Sequence, residues 1–208
     1  MNVDKLSQRI RSFLVSNRGF LRKLPNIQSQ MLELAAVMAA ADHYKSSGYE
    51  VIFQNPGRKR AFVVKCSSHG HPWNFSRMVV KRGERQFEIH MNLSILSARD
   101  FGIYCVDVAI TQSGVVPRVK QSWSCLPNES LITFAEVKKL IVYPMLLAHF
   151  IGIVHELTPG FLSQRPTGFD DADHFAPALI TIGYLTANSR EIVGAYKGRG
   201  ISVNVEAN

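Results

Sequence analysis

Leu131-Ile132-Thr133-Phe134-Ala135-Glu136-Val137-Lys138-Lys139 is the stretch that decides how this chain folds. An uncharged, strand-forming run leads straight into an acid and a lysine two positions apart. Successive side chains of a strand point to opposite faces, so Glu136 and Lys138 share one face and Ala135 and Val137 the other. On an exposed edge strand such a pair is worth only about a few tenths of a kcal/mol. The apolar residues before Glu136 point instead to a central strand, where ionised groups are costly unless paired or put to use.

A second strand, residues 102–110, carries one isolated acid, Asp107, among uncharged neighbours. Before it, residues 85–96 show the cleanest alternation in the chain. Phe87, Ile89, Met91, Leu93 and Ile95 alternate with Glu88, His90, Asn92 and Ser94. A hairpin turn centred near residues 99–100 would set Asn92 opposite Asp107, with His90 one step along the same face. A helix over 141–157 follows the Glu136 strand, with Pro144 tolerable in its first turn.

Asp107, the Glu136-Val137-Lys138 tripeptide and the helix behind it resemble the core of the PD-(D/E)xK nucleases, the restriction-endonuclease-like superfamily. The resemblance covers roughly residues 27–205 and rests on three or four diagnostic positions. It implies an α/β domain with a restriction-endonuclease-like core, a mixed central β-sheet flanked by helices, over residues 25–208. Residues 1–24 would form an N-terminal helical extension. It also implies Mg²⁺ (or Mn²⁺) held by Asp107 and Glu136, with the Val137 carbonyl as a further ligand. Lys138 would assist the attacking water. Val106 stands where the family's motif has proline, a departure from the pattern.

Phosphodiester hydrolysis explains these residue types. A hard divalent cation takes carboxylate, carbonyl and water oxygens, stabilises charge on the phosphorus and sharpens a water nucleophile. The superfamily often recruits an additional acid, for which Glu88 is the candidate on the adjoining strand and Glu33 the alternative on a helix. The competing reading of Glu88 and His90 is a row of solvent-facing polar residues.

The charge balance, 24 basic against 16 acidic residues and net +8, favours polyanionic partners. Arg58, Lys59 and Arg60 form one basic cluster, and Lys81 and Arg82 another; with His90 these are the candidate nucleic-acid contacts. DNA is expected as the substrate in preference to RNA, and a homodimer or larger protein complex is compatible with so small a core. Cys66, Cys105 and Cys125 are odd in number and lack framework spacing, which suits a reducing cytoplasm. At 46% hydrophobic residues the 208-residue chain can bury a full core. The apolar run 140–154 is too short to span a bilayer, so no membrane association is expected.

The remaining pattern predicts helices at 3–17 and 27–46, with Met31, Leu34, Met38 and Ala41 on one stripe and Gly48 as the cap. A hairpin is predicted from 49–53 and 61–66, strands at 179–185 and 201–205, and a short helix at 189–196. Cys66-x-x-His69-x-His71 has partial zinc spacing but lacks a completing pair, and Asp170, Asp171, Asp173 and His174 fall in a loop. Phosphate-loop, serine-hydrolase and dinucleotide fingerprints are absent. The expectation is therefore a metal-dependent endonuclease. A non-catalytic nucleic-acid-binding or interaction module of the same fold is the alternative, and a toxin-like or defence ribonuclease a third reading.

Overall fold

The structure, a computed structural model, describes residues 28–57, 61–162 and 174–207, together with residues 8, 12 and 13. Seven strands lie in one mixed sheet in chain order: β1 (Glu50–Gln54), β2 (Arg77–Arg82), β3 (Arg85–Leu96), β4 (Ile103–Gln112), β5 (Leu131–Lys138), β6 (Ala178–Thr181) and β7 (Asn204–Glu206). Neighbours from β1 to β5 are antiparallel, whereas β5–β6 and β6–β7 are parallel. Parallel neighbours need a crossover, and helices α2 (Pro144–Leu157) and α3 (Ala187–Gly198) supply it.

Helix α1 (Gln28–Ser46) precedes the sheet and buries Met31, Leu34, Met38 and Ala41, the predicted stripe. It stops because Gly48 takes a left-handed φ of 83°, which lets Gly48 N–H reach the Lys45 carbonyl and Tyr49 N–H the Tyr44 carbonyl. Its apolar stripe packs on Phe87, Ile89, Met91 and Val108 on one side of the sheet. On the other side α2 packs Leu147, Phe150 and Val154 against Ile95, Val106, Phe134 and Leu179. Burying both faces of a sheet under helices gives the layered α/β arrangement. Among the described residues no helix is long and apolar enough to cross a membrane.

Three expectations require correction. Residues 61–66 do not form a hairpin with β1; β1 pairs with β2, in the register Val51↔Val80. Strand β2 escaped the sequence reading, although Met78-Val79-Val80 is strand-forming and Gly83, at φ 59°, makes the tight turn into β3. The N-terminal helix lies mostly outside the described residues. Of it, residues 8, 12 and 13 are helical, and Phe13 packs edge-on against Phe53, 6.1 Å between centroids.

The third correction concerns faces. Met91↔Val108 and Leu93↔Val106 place Asn92 across from Asp107, as the turn position predicted. Yet Met91 and Val108 join the α1-side core while Leu93 and Val106 join the opposite one. In a regular strand residues two apart share a face. Asn92, with φ 49°, breaks that alternation. Its side chain therefore meets α1, whereas Glu88 and His90 pack elsewhere, and Asn92 and His90 do not share a face.

Candidate active site

Strands β4 and β5 are paired only as far as Val108↔Ala135, while β5 continues beside β6 through Lys138↔Thr181. The two central strands thus part at the level of Asp107 and Glu136. Val137 N–H, released from the β4 ladder, donates to Asp107 Oδ2 at 2.7 Å. A buried N–H must find an acceptor, and the acid that sequence singled out on β4 is that acceptor.

Lys138 joins the pair. Its Nζ lies 2.6 Å from Glu136 Oε2 and 3.6 Å from Asp107 Oδ2. Glu136 is only 4% exposed, and its second oxygen, Oε1, is buried without a hydrogen-bond partner. Burial first, and the Asp107 charge second, push the Glu136 pKa up to about 7 against the pull of Lys138. Burial works against the Lys138 charge, but Glu136 and Asp107 outweigh it and raise the lysine above its ordinary value.

A third acid arrives from α1. Glu33 Oε2 accepts from Asn92 Nδ2 at 2.8 Å. Burial and, less strongly, the Asp107 charge raise its pKa although the Asn92 hydrogen bond resists. Asn92 Nδ2 also donates to the Lys65 carbonyl, and Lys65 Nζ returns a bond to the Asn92 carbonyl. Buried Lys65 has its pKa lowered by desolvation. Cys105 beside it is pushed up to about 11 by burial and by the Asp107, Glu136 and Glu33 carboxylates, against the pull of Lys65. It is a protonated thiol at neutral pH.

Glu88 is not in this cluster. On β3 it pairs with Thr111, four residues along β4 from Asp107. Fully buried, it meets Arg118 at 2.9 Å, His90 at 3.0 Å and Arg77 at 3.6 Å. Burial opposes its charge, yet His90 and the two guanidiniums bring its pKa down to about 2. His90, also buried, has its own pKa lowered by desolvation and turns its Nε2 to Glu88, so the ring is not displayed to a phosphate. Glu33, the helical alternative, lies near enough to Asp107 for the two charges to be felt.

Of the basic clusters, Lys81 is exposed, while Arg82 stacks over Tyr49 at 4.2 Å and donates to the Ser47 carbonyl at 2.7 Å. Arg58, Lys59 and Arg60 lie outside the described residues, as do Asp170, Asp171 and Asp173. Cys66, His69 and His71 do not assemble a zinc site; His71 stacks on Trp73 instead, 4.4 Å apart and nearly parallel. The sequence reading placed Asn92 opposite Asp107 but gave no site role to it, to Lys65 or to the Arg77–Arg118 pair. Lys65 did leave a signal, as a lone lysine in the run Phe62-Val63-Val64-Lys65-Cys66.

Among the described residues no group of three or more His, Cys, Asp or Glu side chains is gathered tightly enough to hold a metal. The donor chemistry at Asp107 and Glu136 nevertheless fits a hard cation. Two carboxylates are what Mg²⁺ ordinarily takes from a protein, the rest of its shell being water or phosphate oxygens. The orphaned Glu136 Oε1 is a buried acceptor that such an ion would satisfy. No family model, curated protein or solved structure matches the chain.

Proposed function

We propose that the chain is a metal-dependent nuclease of the PD-(D/E)xK type that hydrolyses phosphodiester bonds, with DNA the favoured substrate. The observation that carries this reading is Glu136, buried at the parting of two central strands with one oxygen unpartnered and an acid and a lysine against it. A purely structural ion pair gains nothing from an orphaned oxygen in so dry a place. Asp107 and Glu136 would hold Mg²⁺ or Mn²⁺, with the Val137 carbonyl as the third oxygen. When bound, the ion would offset phosphate charge and lower the pKa of a water.

The chain's own residues supply the rest. Lys138, held charged by its two acids, acts as a fixed positive charge that orients a water or steadies the developing phosphorane, not as a proton acceptor. The bond from Val137 N–H fixes the Asp107 carboxylate in orientation. Asn92 fixes Glu33 from the opposite side, making Glu33 the third acid of the site.

One observation favours the alternative, a nucleic-acid-binding or interaction module without catalysis. Lys138 bonds Glu136 directly, so the acids are partly neutralised from within. Incubation with plasmid DNA, single-stranded DNA and RNA, each with Mg²⁺, Mn²⁺ or EDTA, separates the two. Cleavage that requires the cation and disappears in Glu136→Gln supports the nuclease. Binding without cleavage on every substrate supports the module.

A further inference from the structure

We infer that a cavity beyond the carboxylate cluster, lined by Phe53, Trp73, Phe75, Arg77 and Arg118, is a subsite for one unpaired nucleotide of the bound strand, its base on the aromatic rings and its phosphate on the guanidiniums. The substrate class rests on the nuclease reading; the cavity itself does not. Its volume of about 510 Å³ suits a ligand of nucleotide size.

The chemistry of the walls is specific. Trp73, Phe75 and Phe53 are half-buried, so their rings are held while part of each faces the cavity. Trp73 is further fixed by the parallel stack on His71. Every base has a π-face, and stacking on protein aromatics is the common, sequence-tolerant way to hold single strands. Arg77 and Arg118 both meet Glu88, so two permanent cations face one buried carboxylate while His90 is driven towards its neutral form. One positive charge is left over at the cavity wall. Arg77 is further held by Gln54 and the Val116 carbonyl, whereas Arg118 is half-exposed and able to turn to a phosphate.

A relay of contacts leads from the cavity towards Glu33. Pro72 lines both it and a smaller cavity of about 220 Å³. Lys65 lines the smaller one and is bonded to Asn92, the residue that holds Glu33. One loop, residues 65–76, therefore runs from Lys65, bonded to the Asn92 that holds Glu33, to the aromatic rings. A duplex cannot offer an unstacked base to such a cavity, so the strand reaching it must be single or locally opened.

The chain has two tryptophans, Trp73 and Trp123, so Trp123→Phe leaves Trp73 as the only indole reporter. This protein, in EDTA, is titrated with a nucleoside 5′-monophosphate, the matching nucleoside and inorganic phosphate, followed by indole fluorescence and by calorimetry. Expected is saturable quenching by the monophosphate, weaker binding of the nucleoside and no quenching by phosphate. Arg118→Gln, which keeps a donor for Glu88 but removes the charge, should weaken the monophosphate about tenfold. Trp73→Leu, read by calorimetry, should weaken monophosphate and nucleoside alike. Glu136→Gln should change none of these. The subsite is overturned if the monophosphate does not saturate, or if phosphate competes equally well, or if Arg118→Gln and Trp73→Leu bind as the parent does. Saturable binding in a protein that cleaves nothing keeps the subsite and removes the nuclease. Metal-dependent cleavage without monophosphate binding does the reverse.

Discussion

Lys138 Nζ lies 2.6 Å from Glu136 Oε2, two residues back on the same strand, and the other oxygen of that carboxylate is buried with no partner. One lysine thus stabilises half of an ionised group that burial and Asp107 disfavour. That unpartnered oxygen is the one the proposed cation would meet.

That balance has a pH signature. The Glu136 pKa rises from 4.5 to about 7 on folding. Between those values the folded state holds a proton that the unfolded state has released, so stability falls as pH rises across the window. The loss is on the order of 3 kcal/mol from this one group. Glu136→Gln cannot ionise, so its metal-free stability should decline less between pH 5 and 8 and exceed that of wild type at pH 8. Denaturant titrations across that range check it. Parallel profiles for the two proteins would mean that Glu136 ionises without penalty.

Asp107 has two tasks that substitution can separate. As the acceptor for Val137 N–H it is structural, and as a carboxylate it is chemical. Asp107→Asn keeps an oxygen for the N–H, whereas Asp107→Ala leaves it unsatisfied at a cost of about 1–3 kcal/mol. Relief of repulsion with Glu136 offsets part of that cost in both variants. Both should lose metal-dependent cleavage, but the alanine variant should melt below the asparagine one. Cleavage at the wild-type rate by Asp107→Asn would remove the charge from the mechanism.

Glu88 and Glu33 were the two candidates for a third acid; on the proposed reading Glu33 takes that part and Glu88 does not, and mutation should show it. Glu88→Gln leaves the mostly buried Arg77 without its carboxylate and should destabilise by about 3–5 kcal/mol. The contribution it removes is present above pH 4.5 and is lost as pH falls towards 2, because folding lowers this pKa. Activity per folded molecule should survive. Glu33→Gln keeps an oxygen for Asn92 Nδ2, should leave stability within about 1 kcal/mol and should cut cleavage roughly 10- to 100-fold. Thermal melts beside single-turnover cleavage tell the two apart; the reverse pattern would restore Glu88 to the site.

Glu88 shows where sequence reasoning stops. The identity of β3, β4 and β5, the β3–β4 register and the adjacency of the Asp107 and Glu136 strands were legible because period-two alternation and one turn centre indicate them. Which further acid lies near Asp107 was not legible. It depends on Asn92 taking a left-handed φ, which moves one residue to the α1 face and leaves Glu88 with two arginines brought from β2 and a distant loop. Asparagine tolerates that conformation better than most residues, but nothing in an alternating strand announces its use. The β1–β2 pairing was missed for a related reason. A long excursion, residues 55–76, separates the two strands, and the nearer strand-like segment, residues 61–66, was the tempting partner.

Metal coupling separates the enzyme from a binding module most sharply. Both readings expect phosphates to meet basic residues, so a steep salt dependence alone favours neither. In the nuclease, Asp107 and Glu136 would stand beside the scissile phosphate. With Lys138 as their one direct cation partner among the described residues, two carboxylates repel that phosphate until a further cation arrives. Ca²⁺ should therefore tighten the binding of a labelled single-stranded oligonucleotide to wild type. It should do so more strongly at pH 8, where Glu136 is ionised, than at pH 5.5, where most of it is protonated. The double variant Asp107→Asn with Glu136→Gln should bind more tightly than wild type in EDTA and ignore Ca²⁺ at both pH values. A module that keeps these acids away from its ligand would show the same affinity in all these conditions apart from the general effect of pH. That result, obtained with folded double variant, would count against the nuclease even if the oligonucleotide binds well.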